Sequence, residues 1–218
     1  MIKRFDRIEG RSVVKIYGQE RLAYACSDSS DLYDLVEWEA RGGHPGSVPI
    51  FYDYTNGKVY KPFRKRRNVL YSDPAFADGS YWILQADYAK KKVTLFSYQP
   101  EEKPKVVTET DMENISLYNL QIVGEKVHIV SQNGEKATCY YPEHFSLELS
   151  PHQTLALIAD RRVYLEEWVE EGWDEERDCA GENYRFYHRV IVKDWNGRTL
   201  SEEVGAITQS PDGTYWIS

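Results

Sequence analysis

Two groups of carboxylates in this chain are placed where acid–base work could be done. Asp28, Asp31 and Asp34 follow one short apolar run, and Glu166 and Glu167 follow another. Paired carboxylates about 5–10 Å apart across a sugar act as acid and as nucleophile or base. A small glycan-active hydrolase, with its acids in a central funnel, is therefore one reading. No spacing marks out one pair. Asp78, Asp160 and Asp212 lie in turn contexts, where Asp bonds its own backbone. Other chemistry has less to work with. His44, His128, His144, His152 and His188 are scattered, with no HExxH and no CxxC, so no metal is expected. There is no GxSxG elbow and no phosphate loop ending in Lys-Ser/Thr. No cofactor is expected, and no catalytic residue is assigned.

Two charged segments offer binding chemistry instead. Glu166–Asn183, EEWVEEGWDEERDCAGEN, holds nine acidic residues, one Arg and two tryptophans. Charge alone would make it a solvated loop, but aromatics are enriched at protein contacts. Trp168, Trp173, Glu170, Glu171, Asp174 and Glu175 are the candidate contact residues. The two tryptophans are five apart, which fits neither strand alternation nor a helical face. The second segment, KPFRKRRN, places Arg64, Lys65, Arg66 and Arg67 together, with Lys90, Lys91 and Lys92 further on. It could accept the acidic segment of another copy. The expected partner is thus a basic protein or a second copy of this chain. The blander readings are a solvated basic turn and an acidic loop packed over the fold.

The elements that must position these segments are strands. The 218 residues carry 14% aromatics, with 17 Tyr and 6 Trp, and rings suit pleated surfaces. AFADGSYWILQA, QIVGEKVHIVSQ, LIADRRVYLEE and ITQSPDGTYWIS each read as a strand, a tight turn and a second strand. A different hairpin follows, as in FYDYTNGKVYKPF and VIVKDWNGRTL, turned on Asn-Gly. These later turns fall near Gly10, Gly57, Glu102, Glu143 and Gly197, roughly 40 to 55 residues apart, which is a propeller-blade period. The chain is therefore expected to be a single all-β domain spanning 1–218. The expected fold is a five-bladed β-propeller, with Thr214–Ser218 pairing with Ile2–Ile8 in a blade shared by the two termini. Four blades, or an irregular β-sandwich, are the alternatives. Tyr24, Trp82, His128, Tyr164 and Trp216 occupy matching positions, and would either line an axial mouth or pack between blades.

The closing SPDGTYWIS, echoed in FADGSYWI, resembles the Ser-Pro-Asp-Gly blades of propellers of the TolB and peptidase-associated kind. The resemblance lies in the repeat plan and implies no functional residue. The WD signature is absent: Asp194-Trp195 is reversed, and no Gly-His precedes it. A net charge of −8 and a pI near 5.2 argue against nucleic acid as a general partner. No apolar run is long enough to span a membrane. The first residues carry no secretory leader, and three cysteines at unrelated spacings read as thiols of a cytoplasmic protein.

Overall fold

A computed structural model describes residues 2–28 and 30–218. It is all-β, built of five antiparallel sheets in chain order, none of them closed. The first holds β1 (Val14–Lys15), β2 (Leu22–Cys26), β3 (Pro49–Asp53) and β4 (Val59–Tyr60). The second holds β5 (Val69–Tyr71), β6 (Ala75–Ala77), β7 (Ser80–Asp87), β8 (Lys92–Tyr98) and β9 (Lys105–Asp111). The third holds β10 (Gln121–Val123), β11 (His128–Asn133), β12 (Lys136–Tyr141) and β13 (Phe145–Glu148). The fourth holds β14 (Gln153–Ala159), β15 (Arg162–Asp174), β16 (Cys179–Asp194) and β17 (Thr199–Val204). The fifth is a hairpin of β18 (Ile207–Gln209) and β19 (Tyr215–Ile217). Among the described residues no helix is long and apolar enough to cross a membrane.

The turns form where the sequence supplies residues that tolerate positive φ. Asp78 and Gly79 both adopt it (49° and 71°), as do Asp160 and Arg161 (49° and 59°), giving the tight primed turns that match strand twist. In the Asn-Gly turns the glycine alone, Gly57 or Gly197, adopts positive φ. Beside Gly197, Asp194 accepts the backbone N–H groups of Asn196 (2.9 Å) and Arg198 (3.0 Å).

Alternation along the strands then buries both faces of successive sheets. Leu22, Tyr24 and Phe51 of the first sheet pack with Tyr71, Tyr81 and Ile83 of the second. Leu84, Ala86 and Leu95 turn the other way, to Ile129 of the third. Val130, Ala137 and Cys139 face Ile158, Val163 and Leu165 of the fourth. Leu32 and Leu35, from the stretch joining β2 to β3, join the second of these clusters. That stretch carries a short helix, Asp34–Glu37, and a 3₁₀ turn, Glu39–Arg41, which the sequence pattern did not suggest.

The termini do not share a blade. β19 pairs only with β18, and residues 2–13 lie on no strand. Ile2, Phe5 and Ile8 recur every third residue, a period that cannot set one face of a strand. The N-terminal segment instead runs beside the β3–β4 turn. Asp6 donates its N–H to the Gly57 carbonyl (2.8 Å) and accepts the Val59 N–H (2.9 Å). Phe5 covers the Tyr52 ring, with centroids 5.1 Å apart. Closure would bury both Tyr215 and Trp216; Tyr215 is half-buried, but Trp216 is 62% exposed.

The two ends do meet, through turns. Gly18 donates to the Pro211 carbonyl (3.3 Å). Gln19 pins that turn by bonding the Ile16 and Leu22 carbonyls (2.7 Å each) and accepting the Tyr81 hydroxyl (2.7 Å). A Cβ on Gly213 would stand 2.7 Å from the Gly18 Cα, at φ +94°. Gly213→Ala should therefore lower the urea midpoint more than Gly79→Ala, where the φ is similar but the space is open. The positive φ alone costs about 1–3 kcal/mol. Equal losses from the two substitutions would show that the Gly18–Gly213 joint carries no weight.

Asp53 supplies a second check. Burial of its carboxylate raises its pKa, but hydrogen bonds from the Thr55 hydroxyl and amide and from Arg21 outweigh that, and the net direction is downward. Arg21 Nε lies 2.8 Å away. A native value below the unfolded one, about 3.9, stabilises the fold above that pH, and the contribution is lost as pH falls through the native value. Asp53→Asn should be less stable at neutral pH and lose stability less steeply in acid. Parallel stability curves for variant and parent would contradict this.

Candidate interaction ribbon

The acidic segment is not an inserted loop. β15 and β16 continue as a two-stranded ribbon past the point where their outer neighbours stop. The last outer bonds are Trp168 N–H to the His152 carbonyl (3.2 Å) and Gly205 N–H to the His188 carbonyl (2.9 Å). Beyond them β15 and β16 pair only with each other, through Val169↔Tyr187, Glu170↔Phe186 and Glu171↔Arg185, and again at Trp173↔Ala180 and Asp174↔Cys179. Asp174 closes the tip by accepting the N–H groups of Glu176 and Arg177 (3.1 Å each). Glu166 and Glu167 belong to the sheet body: they pair with Thr154 and Gln153. The boundary drawn at Glu166 from sequence is therefore too early.

Between Glu171 and Trp173 the register slips, setting Gly172 on one strand against Gly181 to Tyr184 on the other. Two glycines make this possible. A Cβ on Gly172 (φ +76°) would lie 2.6 Å from the Asn183 carbonyl oxygen, and one on Gly181 would lie 2.7 Å from that of Gly172. The extra residues lie on β16, and on β15 the positive φ of Gly172 breaks the alternation, so that Trp173 comes to the side of Tyr184 in spite of the five-residue spacing from Trp168.

The ribbon has two unlike faces. Glu167, Glu171, Arg185, Tyr187 and Arg189 share one of them. There Glu171 pairs with Arg185 (Nε to Oε2, 2.6 Å) and accepts the Tyr187 hydroxyl (3.0 Å), while Glu167 accepts from Arg189 Nε (2.8 Å). The Arg185 guanidinium and the Tyr187 hydroxyl hold the Glu171 carboxyl below the usual carboxylate range. The other face carries rings. Trp168 meets His152 (6.1 Å) and Phe186 (6.5 Å), and Trp173 meets Tyr184 (6.0 Å). The Tyr184 hydroxyl donates to Glu170 (2.6 Å), and this bond raises the phenol's pKa. Trp168, Trp173 and Phe186 are 39%, 44% and 62% exposed. The sequence picked out the tryptophans and missed Tyr184 and Phe186, which arrive on the returning strand.

The returning strand also changes the charge pattern. Arg185 and Arg189 neutralise Glu171 and Glu167, so exposed acid is concentrated at Glu170 and at the tip, in Glu175, Glu176, Asp178 and Glu182. The basic run is likewise partly committed. Arg66 pairs with Asp87 (3.1 Å) and Arg67 donates to the Gly42 carbonyl, while Arg64 and Lys65 are exposed. Lys92 is held by Asp111 (2.9 Å), and Lys91 lies over Tyr88. No ion pair among the described residues joins this run to the ribbon within one molecule.

The acid–base candidates have local duties. Asp31 accepts the N–H groups of Tyr33 (2.7 Å) and Asp34 (3.1 Å) at the start of the short helix. Glu166 accepts the Ile207 N–H, which ties the fifth sheet to the fourth. The matched aromatic positions do not converge on one mouth: Tyr24 and Trp82 lie in different clusters, and Trp216 faces solvent. Cys26, Cys139 and Cys179 are free thiols, and burial pushes the Cys139 thiol up to about 11. Among the described residues no cluster of His, Cys, Asp and Glu is arranged to hold a metal. No family model, curated protein or solved structure matches the chain.

Because the distal ribbon pairs only with itself, it should be removable. Replacing Gly172–Tyr184 with Asn-Gly keeps the hydrogen-bonded Glu171↔Arg185 pair as the hairpin's end and leaves the sheet body whole. Loop closure changes little with length, so the melting temperature should stay within a few degrees of the parent. Replacing Glu166–Asn183 instead removes the ties to Ile207 and Arg189, and should destabilise the protein clearly. Equal damage from both replacements would mean the distal ribbon supports the fold.

Proposed function

We propose that this protein is a non-enzymatic binding or scaffolding module: a five-bladed β-propeller whose fourth blade extends a contact ribbon. Three features support the propeller reading. Five antiparallel sheets follow one another in chain order, apolar clusters join neighbours among the first four, and the turn of the fifth rests on the turn of the first. In this reading the C-terminal hairpin alone stands as the fifth blade. The observation that carries the contact reading is the outward aromatic face of the ribbon. Trp168, Phe186, Tyr184 and Trp173 sit on a two-stranded element with no sheet behind them, while the charges of the opposite face are paired. Rings beside an uncompensated carboxylate, Glu170, suit cationic side chains, which bind aromatic faces and acids together. The partner is a basic protein or another copy of this chain. Three free thiols favour a cytoplasmic setting.

An oligo-arginine peptide is a direct probe, read by tryptophan fluorescence. It should bind more weakly as salt rises, since screening shortens the range of exposed charges. The combined variant Trp168→Ala, Trp173→Ala and Phe186→Ala should keep its melting temperature and bind this peptide at least about ten-fold more weakly, because contact rings commonly carry more than 1 kcal/mol each. Since the variant lacks two tryptophans, its affinity is read by calorimetry. Unchanged affinity would refute the contact reading.

A further inference from the structure

We infer that the ribbon's occupant is the N-terminal segment of a second copy, so that this chain associates head to tail. The inference rests on the contact reading of the ribbon and names its partner. The segment from Ile2 to Arg11 is a cationic strip that forms no strand and lies along the edge and outer face of the first sheet. Lys3, Arg4, Arg7 and Arg11 are exposed, and Ile2 and Ile8 are 93% and 71% exposed. Its two acids are already engaged within the chain: Asp6 accepts the Val59 N–H, and Glu9 pairs with Lys61 at 2.6 Å. Its outward character is therefore apolar and positive. The ribbon's outward character is aromatic and negative, through Trp168, Trp173, Phe186, Glu170 and the acids of the tip. The two surfaces complement each other in both charge and apolar content.

The competing basic run at Arg64–Arg67 is the poorer acceptor, because Arg66 is paired with Asp87, whereas among the described residues no ion pair holds Lys3, Arg4, Arg7 or Arg11; Arg67 and Arg11 each donate to one backbone carbonyl, of Gly42 and Cys26. Within one molecule the N-terminal segment is held at the β3–β4 turn of the first sheet and the ribbon leaves the fourth. No hydrogen bond or ion pair among the described residues links them. Each copy therefore offers its ribbon to one neighbour and its N-terminal segment to another. Such a contact is heterologous, and it builds concentration-dependent chains or a ring rather than a two-fold dimer.

Light scattering against protein concentration at low salt should show a rising mass that falls back to the monomer in high salt. Two charge-reversed proteins sharpen the test. One carries Glu175→Arg, Glu176→Arg and Glu182→Arg; the other carries Arg4→Glu, Arg7→Glu and Arg11→Glu. Each alone should stay monomeric at concentrations where the parent associates, with an unchanged melting temperature. Mixed in equal amounts they should associate again, because the reversed ribbon of one now meets the reversed segment of the other. A parent that stays monomeric, or a mixture that does not regain association, overturns the inference. If the parent stays monomeric while oligo-arginine still binds the ribbon in a Trp168-dependent way, the second copy is the wrong occupant and the contact reading stands. If neither association nor peptide binding is seen, both fail.

Discussion

Burial on both faces of successive sheets is the constraint on which the rest of this structure depends. A sheet with one apolar face can meet water on the other. Here β7 sends Tyr81 and Ile83 to one side and Leu84 and Ala86 to the other, and β11 and β12 divide their residues likewise. Such sheets must be flanked by something. The second lies between the first and third, and the third between the second and fourth. The outer face of the first sheet, with Ile50, Tyr52 and Val59, is met by Phe5. On the fourth sheet the terminal hairpin takes up the Glu166 carboxylate. What looks irregular at the two ends of the chain is how the outermost faces are covered.

The ribbon marks where that constraint stops acting. Up to Leu165 and Ile191, side chains on β15 and β16 are fixed by packing against the third sheet. Past Trp168 there is no flanking strand, and pairing across the ribbon sets the order instead. The Glu167–Arg189 and Glu171–Arg185 pairs hold one face together, and exposed pairs of this kind contribute little to stability. The aromatic face gains contacts among its own rings yet leaves much of their area in water. Isolated two-stranded ribbons are marginal, so this one depends on the sheet at its base for its shape.

Much of the fold was legible in the sequence because its turns are chemically specific. Asp78-Gly79, Asn56-Gly57, Asn196-Gly197 and Asp212-Gly213 each mark a reversal, and the alternation between them gives the strands. The ends were misread because a short apolar run, Tyr215–Ile217, looks the same whether it is buried or exposed, and because Ile2, Phe5 and Ile8 resemble a strand only when their spacing is ignored. The site was half legible. Trp168 and Trp173 stood out as rings among acids, but their spacing concealed a shared element until Gly172 and Gly181 were seen to face each other. Arg185 and Arg189, which change the charge reading, lie past the segment that drew attention and are brought in only by strand pairing. The helix Asp34–Glu37 is a single turn entered through a bend in which Asp31 accepts the Tyr33 and Asp34 N–H groups, too short a signal to read in sequence.

The claim at the centre of this account is that the ribbon is carried by the stacked sheets and does not help to hold them. Native-state hydrogen exchange separates the two roles, since local opening and global unfolding differ in free energy and in denaturant dependence. Amides of Val169, Glu171 and Arg185 should exchange through a small opening that is nearly insensitive to urea. Amides of Leu165 and Ile191 should exchange only with global unfolding. If the ribbon amides were protected to the global limit, with the same urea dependence as Leu165, the ribbon would be part of the cooperative fold and the account would be wrong.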